Sequence, residues 1–192
     1  MKADVILCGV GGQGVLSAAG ILAEAGVRGG LHVRMGEVHG MAQRGGAVQA
    51  SLRLSDAPIA GELVPRGTAD LLLSLEPLET LRYLDWLAPS GWVVASTDPV
   101  RNIPDYPPLE EVLERLRALP RRVLVEAAAV ARAAGSTHAA NVAVAGAAAR
   151  LLPLDAAVIR DVITEGFMEK GVKVVDANLK AFQEGMRVGA PA

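Results

Sequence analysis

Two short stretches of this 192-residue chain hold most of the residues that could bind or move charge. The first is "GVGGQGV", Gly9 to Val15. The second is "EVHGMAQRGG", Glu37 to Gly46. In the first, Gly9, Gly11 and Gly14 give a G-x-G-x-x-G pattern with an extra glycine, Gly12. Glycines there let a backbone approach a ligand, and the N–H groups opening a helix suit an anion. The same stretch also reads as a tight turn bringing strand and helix together. Gln13 adds an amide that can donate and accept.

In the second stretch Glu37 is an acid near the end of a predicted second strand, where a dinucleotide-binding domain places its ribose contact. Gln43 and Arg44 offer amide and guanidinium donors suited to carboxylate or phosphate. Gly45 and Gly46 let the loop turn tightly. His39 suits a general base, a ligand contact or a hydrogen-bonded anchor of the loop. Further on, Asn141 stands where a helix begins, which makes an N-cap its default role. Asp98 and Asp176 read as loop or cap acids.

The elements around these residues read as an α/β domain. "ADVILCGV" is a buried strand, and the helix after it ends at Gly29 and Gly30. "LHVRMGEV" is a second strand. "AVQASLRLS" alternates apolar and polar residues, and no helix separates it from strand two. A short connection cannot join parallel neighbours, so this strand is predicted antiparallel in a mixed sheet. "DLLLSL", "GWVVAS" and "RRVLVEA" supply three more strands, with helices over "EPLETLRYLDWL" and "LEEVLERLRAL". The remaining third is helical. The expected fold is a three-layer, Rossmann-like α/β domain: a mixed, mostly parallel sheet with a helical C-terminal part, one domain over 1–192. Strands one and two, if parallel, bring both glycine stretches to one carboxyl edge, where open α/β sheets bind ligands.

Composition narrows the function. The net charge is −2 and no stretch is strongly basic, which argues against nucleic acid. Cys8 is the single cysteine and sits in a buried strand, so neither a disulfide nor a cysteine-ligated cluster can form within the chain. Three histidines, His32, His39 and His138, lack zinc-site spacing. The first apolar stretch is too short for a signal peptide. The alanine-rich region from Ala127 to Leu152 carries Arg132, His138 and Arg150 and is no membrane span. A cytoplasmic protein with no membrane partner is expected.

Taken together, "GVGGQGV", "EVHGMAQRGG", "ADLLLSLEPLETLRYL", an asparagine-led "NVAVAG" and the ending "NLKAFQEG" resemble the gamma domain of the 2-oxoacid:ferredoxin oxidoreductases. The resemblance spans almost the whole chain. Gamma domains of the pyruvate enzymes usually show glycine-proline-glutamate before the arginine and glycines. Here His39 to Gln43 stand instead, which favours the small, beta subunit of the indolepyruvate branch.

The resemblance implies CoA-dependent oxidative decarboxylation of a 2-oxoacid. Thiamine diphosphate and Fe–S clusters would sit on a large, alpha subunit, and ferredoxin would be reached through the complex. No thiamine-type motif and no CxxCxxC run occurs here. The chain is therefore expected to bind no cofactor alone, to have no catalytic residue of its own and to shape the site near coenzyme A. Faces rich in alanine and leucine predict self-association when it is expressed without a partner. The alternative from Gly9, Gly11, Gly14 and Glu37 is a stand-alone NAD(P)- or nucleotide-binding Rossmann-like protein.

Overall fold

The computed structural model describes residues 1–39 and 45–189, the side chain of His39 excepted. Six strands form one sheet in the order β2-β3-β1-β4-β5-β6. They are β1 (Lys2–Val10), β2 (His32–His39), β3 (Ala47–Ser55), β4 (Ala69–Ser74), β5 (Leu87–Ser96) and β6 (Arg122–Val125). β1, β4, β5 and β6 run parallel, and β3 is antiparallel to both β1 and β2. The mixed, mostly parallel sheet expected from the short link after β2 is therefore present. β2 and β1 do point the same way, but β3 lies between them.

Side chains alternate across this sheet and feed two apolar layers. From β1, Val5 and Leu7 face one layer, and Ile6 and Cys8 face the other. The first layer is closed by α1 (Val15–Arg28), α5 (Ala140–Ala148), α6 (Ala156–Phe167) and α7 (Val172–Val188). The second is closed by α3 (Leu109–Arg117), which supplies Leu113 and Leu116, and by residues after the short helix α2 (Pro77–Arg82). α4 (Ala127–Ala134) packs on α5 and α7. The helical spacing of Val158, Ile159, Val162, Ile163 and Phe167 predicts one apolar stripe, and on α6 Ile159, Val162 and Ile163 are buried while Val158 and Phe167 pack partly buried on the same layer.

Small residues let α5 and α7 approach until backbone meets backbone. A Cβ on Gly185 would lie 2.0 Å from the carbonyl oxygen of Ala143, and one on Gly146 would lie 2.3 Å from that of Phe182. The alanine and glycine content of the C-terminal third is explained by this seam.

α2 is shorter than its sequence stretch suggests. Pro77 starts it, the side chain of Glu76 accepts from the N–H of Glu79 as its cap, and it ends at Tyr83, after which a 3-10 turn covers Leu84–Trp86. Asp176 is neither a loop nor a cap acid: it is an exposed residue within α7. Among the described residues no helix is long and apolar enough to cross a membrane.

Candidate functional site

The two glycine stretches meet through their backbones. β1 and β3 pair as far as Val10 and Ala47. The next rung of the ladder is made by glycines: the N–H of Gly11 donates to the carbonyl of Gly46 at 2.8 Å, and the N–H of Gly45 donates to that of Gly11 at 3.3 Å. Their common carboxyl edge follows from strand direction, and their direct contact from the antiparallel pairing.

Between this rung and α1 the chain turns through Gly12 and Gly14, with φ of 103° and 84°. Only glycine takes this left-handed backbone without strain. Gly9 has a different reason to be glycine: a Cβ there would lie 2.9 Å from Oε1 of Gln13 and 3.2 Å from Cβ of Leu75.

Gln13 is engaged inside the frame. Its Oε1 accepts from the N–H of Val10 at 2.8 Å, and its Nε2 donates to the carbonyl of Leu75 at 2.7 Å. It ties the turn after β1 to the end of β4. Asn141 differs from its sequence expectation. The cap position of α5 is Ala139, whereas Asn141 lies inside the helix, buried, with Nδ2 donating to the carbonyl of Gly14 at 3.2 Å. A 3-10 turn, Thr137–Ala139, precedes α5 and takes over the start of the helix, with Ser136 as its cap. Asp98 does act as a cap, but from a distance: its Oδ2 accepts from the N–H of Ala128 in the first turn of α4 at 2.8 Å.

Two clefts flank the glycine turn. The larger, about 490 Å³, lies between Gly11, Gly12, Gly14 and Ser17 on one side and Glu37 and Val48 on the other. The first N–H groups of α1 have no acceptor within the helix, as at any helix start. A helix N-terminus with an acid across from it offers donors to a phosphate and an acceptor to a hydroxyl.

The second cleft, about 230 Å³, lies beyond Gly12 and Gln13, between the strand ends and the starts of α4 and α5. Asp98, Thr137, His138 and Asn141 line it. It sits where β1 sends its helix to one face and β4 sends its helix to the other, the switch point at which open α/β sheets bind ligands.

Of the other expected site residues, His39 ends β2 opposite Val48. Gln43 and Arg44 lie outside the described residues. Neither cleft contains a thiol: Cys8 is fully buried, and burial pushes its thiol far above the usual range, with the charges of Glu79 and Glu76 adding to the effect against a hydrogen bond with Ser74. Full burial with a raised pKa is the environment of a structural cysteine. Among the described residues no group of three or more histidine, cysteine, aspartate or glutamate side chains gathers as a metal site.

Sequence reasoning missed Glu76, Asn102 and Tyr106, which bond across the carboxyl edge. Their segments read as a helix start and a proline-rich link, and no local pattern pairs them. It likewise gave no ligand-facing place to Thr137.

The chain matches the family described as pyruvate ferredoxin/flavodoxin oxidoreductase over residues 4–188. It is 38% identical to the indolepyruvate oxidoreductase subunit IorB of Archaeoglobus fulgidus, covering 96% of this chain and 94% of that protein. Against the same-named subunit of Pyrococcus horikoshii the identity is 37% over the same shares. A solved keto/oxoacid ferredoxin oxidoreductase gamma subunit from Geobacter sulfurreducens superposes with a TM-score of 0.71 at 23% identity, covering 97% of this chain and 98% of that one. The 2-oxoglutarate:ferredoxin oxidoreductase of Magnetococcus marinus, solved with 2-oxoglutarate, coenzyme A and succinyl-CoA bound, gives a TM-score of 0.78 at 20% identity. That likeness covers 98% of this chain but only 31% of the Magnetococcus chain. The two solved structures share the mixed sheet with its helices, and the near full-length match fixes the relationship: the chain is an oxidoreductase subunit that belongs to the pyruvate ferredoxin/flavodoxin oxidoreductase family.

Proposed function

We propose that this chain is the small subunit of an indolepyruvate-type, CoA-dependent ferredoxin oxidoreductase of the cytoplasm. The observation that carries the reading is the 38% identity to an indolepyruvate oxidoreductase subunit over almost the full length of both chains. The chain's own chemistry agrees with a supporting role. One cysteine, buried, cannot hold an Fe–S cluster. In this reading the clusters and thiamine diphosphate sit on a large subunit, and ferredoxin is reached through the complex.

The larger cleft is the place this reading gives to coenzyme A. The first N–H groups of α1 would meet a phosphate, and Glu37 would meet a ribose or amide group. When bound there, coenzyme A would supply the thiol that accepts the acyl group. The residues of this chain would bind and orient it, with Gly11, Gly12 and Gly14 allowing close approach. Val38 and Leu63, 56% and 58% exposed, give the partner an apolar surface and give the isolated chain a reason to self-associate.

Co-purification tests the reading. A large subunit bearing thiamine and Fe–S sites is expected to bind this chain and to lose turnover without it. Full activity of that subunit alone, with no binding, overturns the proposal. Tight calorimetric binding of NAD or NADP by the isolated chain would instead favour a stand-alone dinucleotide-binding protein. Light scattering checks self-association of the isolated chain.

A further inference from the structure

The link from β5 to α3, residues 97–108, crosses the carboxyl edge and is bonded at several points. At its start Asp98 holds α4, as described. The N–H of Val100 donates to Oε1 of Glu76 at 3.3 Å, and the hydroxyl of Tyr106 donates to the same oxygen at 2.5 Å. Between them, Nδ2 of Asn102 donates to the carbonyl of Gly45 at 2.7 Å.

Glu76 is 1% exposed. Burying a carboxylate is costly unless donors surround it, and a cap for a six-residue helix does not require one. Here one oxygen caps α2 through the N–H of Glu79 at 2.7 Å, and the other anchors the link at two points. The residue before Glu76, Leu75, receives Gln13, which braces the glycine turn. Gly11 in that turn bonds Gly45 and Gly46. The contacts therefore close on themselves: Gly11 to Gly45, Gly45 to Asn102, along the link to Tyr106, across to Glu76, and back through Leu75 and Gln13.

We propose that Glu76, Tyr106 and Asn102 form a positioning strap. It transfers the fixed end of β4 to Gly45, and so holds Gly45 against Gly11 and sets the mouth of the larger cleft where Gly11 lines it. Asn102 is the positioning residue at the delivering end. It is exposed and touches the glycine segment through one side-chain hydrogen bond, so its worth lies in placing Gly45 more than in holding the core. The functional consequence rests on the proposed function, whereas the mechanical one does not.

The test is residue-resolved amide hydrogen exchange on the full-length chain. Asn102→Ala is expected to speed exchange at Gly11 and Gly45 about fivefold, the weight of one net hydrogen bond, and to leave Leu75 and Ala18 unchanged. Tyr106→Phe removes the anchor at the far end and is expected to speed exchange at Gly45 as well. Unchanged exchange at Gly11 and Gly45 in Asn102→Ala overturns the strap, and so does a uniform rise across the whole chain. Should Tyr106→Phe not fold, the exposed Asn102→Ala decides alone. In the assembled oxidoreductase, Asn102→Ala is expected to raise KM for coenzyme A severalfold with kcat held. A loss confined to kcat would overturn the placement at the cleft mouth. Failure of the subunit to find a partner would overturn the functional reading and leave the exchange result standing.

Discussion

The side-chain amide of Asn141 donates to the carbonyl of Gly14 at 3.2 Å, joining the start of α5 to the last residue of the glycine turn. The two residues are far apart in sequence, and a side chain added at Gly14 would run into Asn141. A Cβ on Gly14 would lie 2.6 Å from Nδ2 of Asn141, and its φ of 84° is left-handed.

Asn141→Ala is expected to keep the fold and cost about 1 kcal/mol, one net hydrogen bond. Gly14→Ala is expected to cost about 1–2 kcal/mol from the backbone alone. Chemical denaturation of each variant measures this. Asn141→Asp, which turns an acceptor toward a carbonyl, should cost at least as much as the alanine variant.

The seam between α5 and α7 should tolerate no added methyl. Gly185→Ala would press Cβ to 2.0 Å from the carbonyl oxygen of Ala143, backbone that cannot yield cheaply. A loss of about 3 kcal/mol is expected in urea denaturation. Gly166, within α6 and with open space around its Cβ position, is the control: Gly166→Ala should stabilise by about 0.4–1 kcal/mol.

Two buried carboxylates, Asp4 and Glu79, should contribute opposite pH dependences to stability. Burial opposes ionisation of Asp4, but Arg53 at 2.8 Å and Lys2 at 2.8 Å outweigh it and hold its carboxyl below the ordinary 3.8. The unfolded chain then takes the proton first, so this contribution is present above 3.8 and lost as pH falls through the folded value. Glu79 behaves oppositely. Burial lifts it above its ordinary 4.5, with Arg82 opposing and the charge of Glu76 adding. The folded chain takes that proton more readily, so stability declines as pH rises from 4.5 through the folded value. Urea midpoints at a series of pH values check both. Glu79→Gln should flatten the upper decline. Arg53→Ala should cost about 1–3 kcal/mol near neutrality, because Asp4 is 1% exposed and loses a charged donor.

Arg44→Ala is expected to leave the fold intact and to weaken turnover only in the presence of the large subunit. Thermal melting of the chain alone and steady-state rates of the assembled enzyme separate the two effects. Unchanged turnover in the assembled enzyme would mean that the loop serves shape alone.

How much was legible varied with the range of the interaction. The antiparallel β3 was legible because the seven-residue link, 40–46, leaves no room for a crossover, a purely local constraint. The strand of Cys8, the helix after Gly14 and the stripe on α6 were legible because periodicity reports burial directly. The role of Asn141 was not. A 3-10 turn took over the start of the helix, and only packing of α5 against α1 brings its amide to Gly14. Glu76 read as a helix start, which it is, yet its second oxygen is committed to Val100 and Tyr106, residues that no spacing rule connects to it.

The sequence by itself determined most of the strands and helices, the mixed sheet, the single cysteine and the two glycine stretches at one edge. Local dihedral preference and hydrophobic period carry that information along the chain. The tertiary structure alone decided that β3 separates β2 from β1, that the two glycine stretches share a rung, that Gln13 and Asn141 brace the turn, and that the 97–108 link ties Glu76 to Gly45. Each of these depends on which distant backbone groups are left over once the sheet has formed. Hydrogen bonds between them are set by three-dimensional proximity, which sequence spacing does not encode.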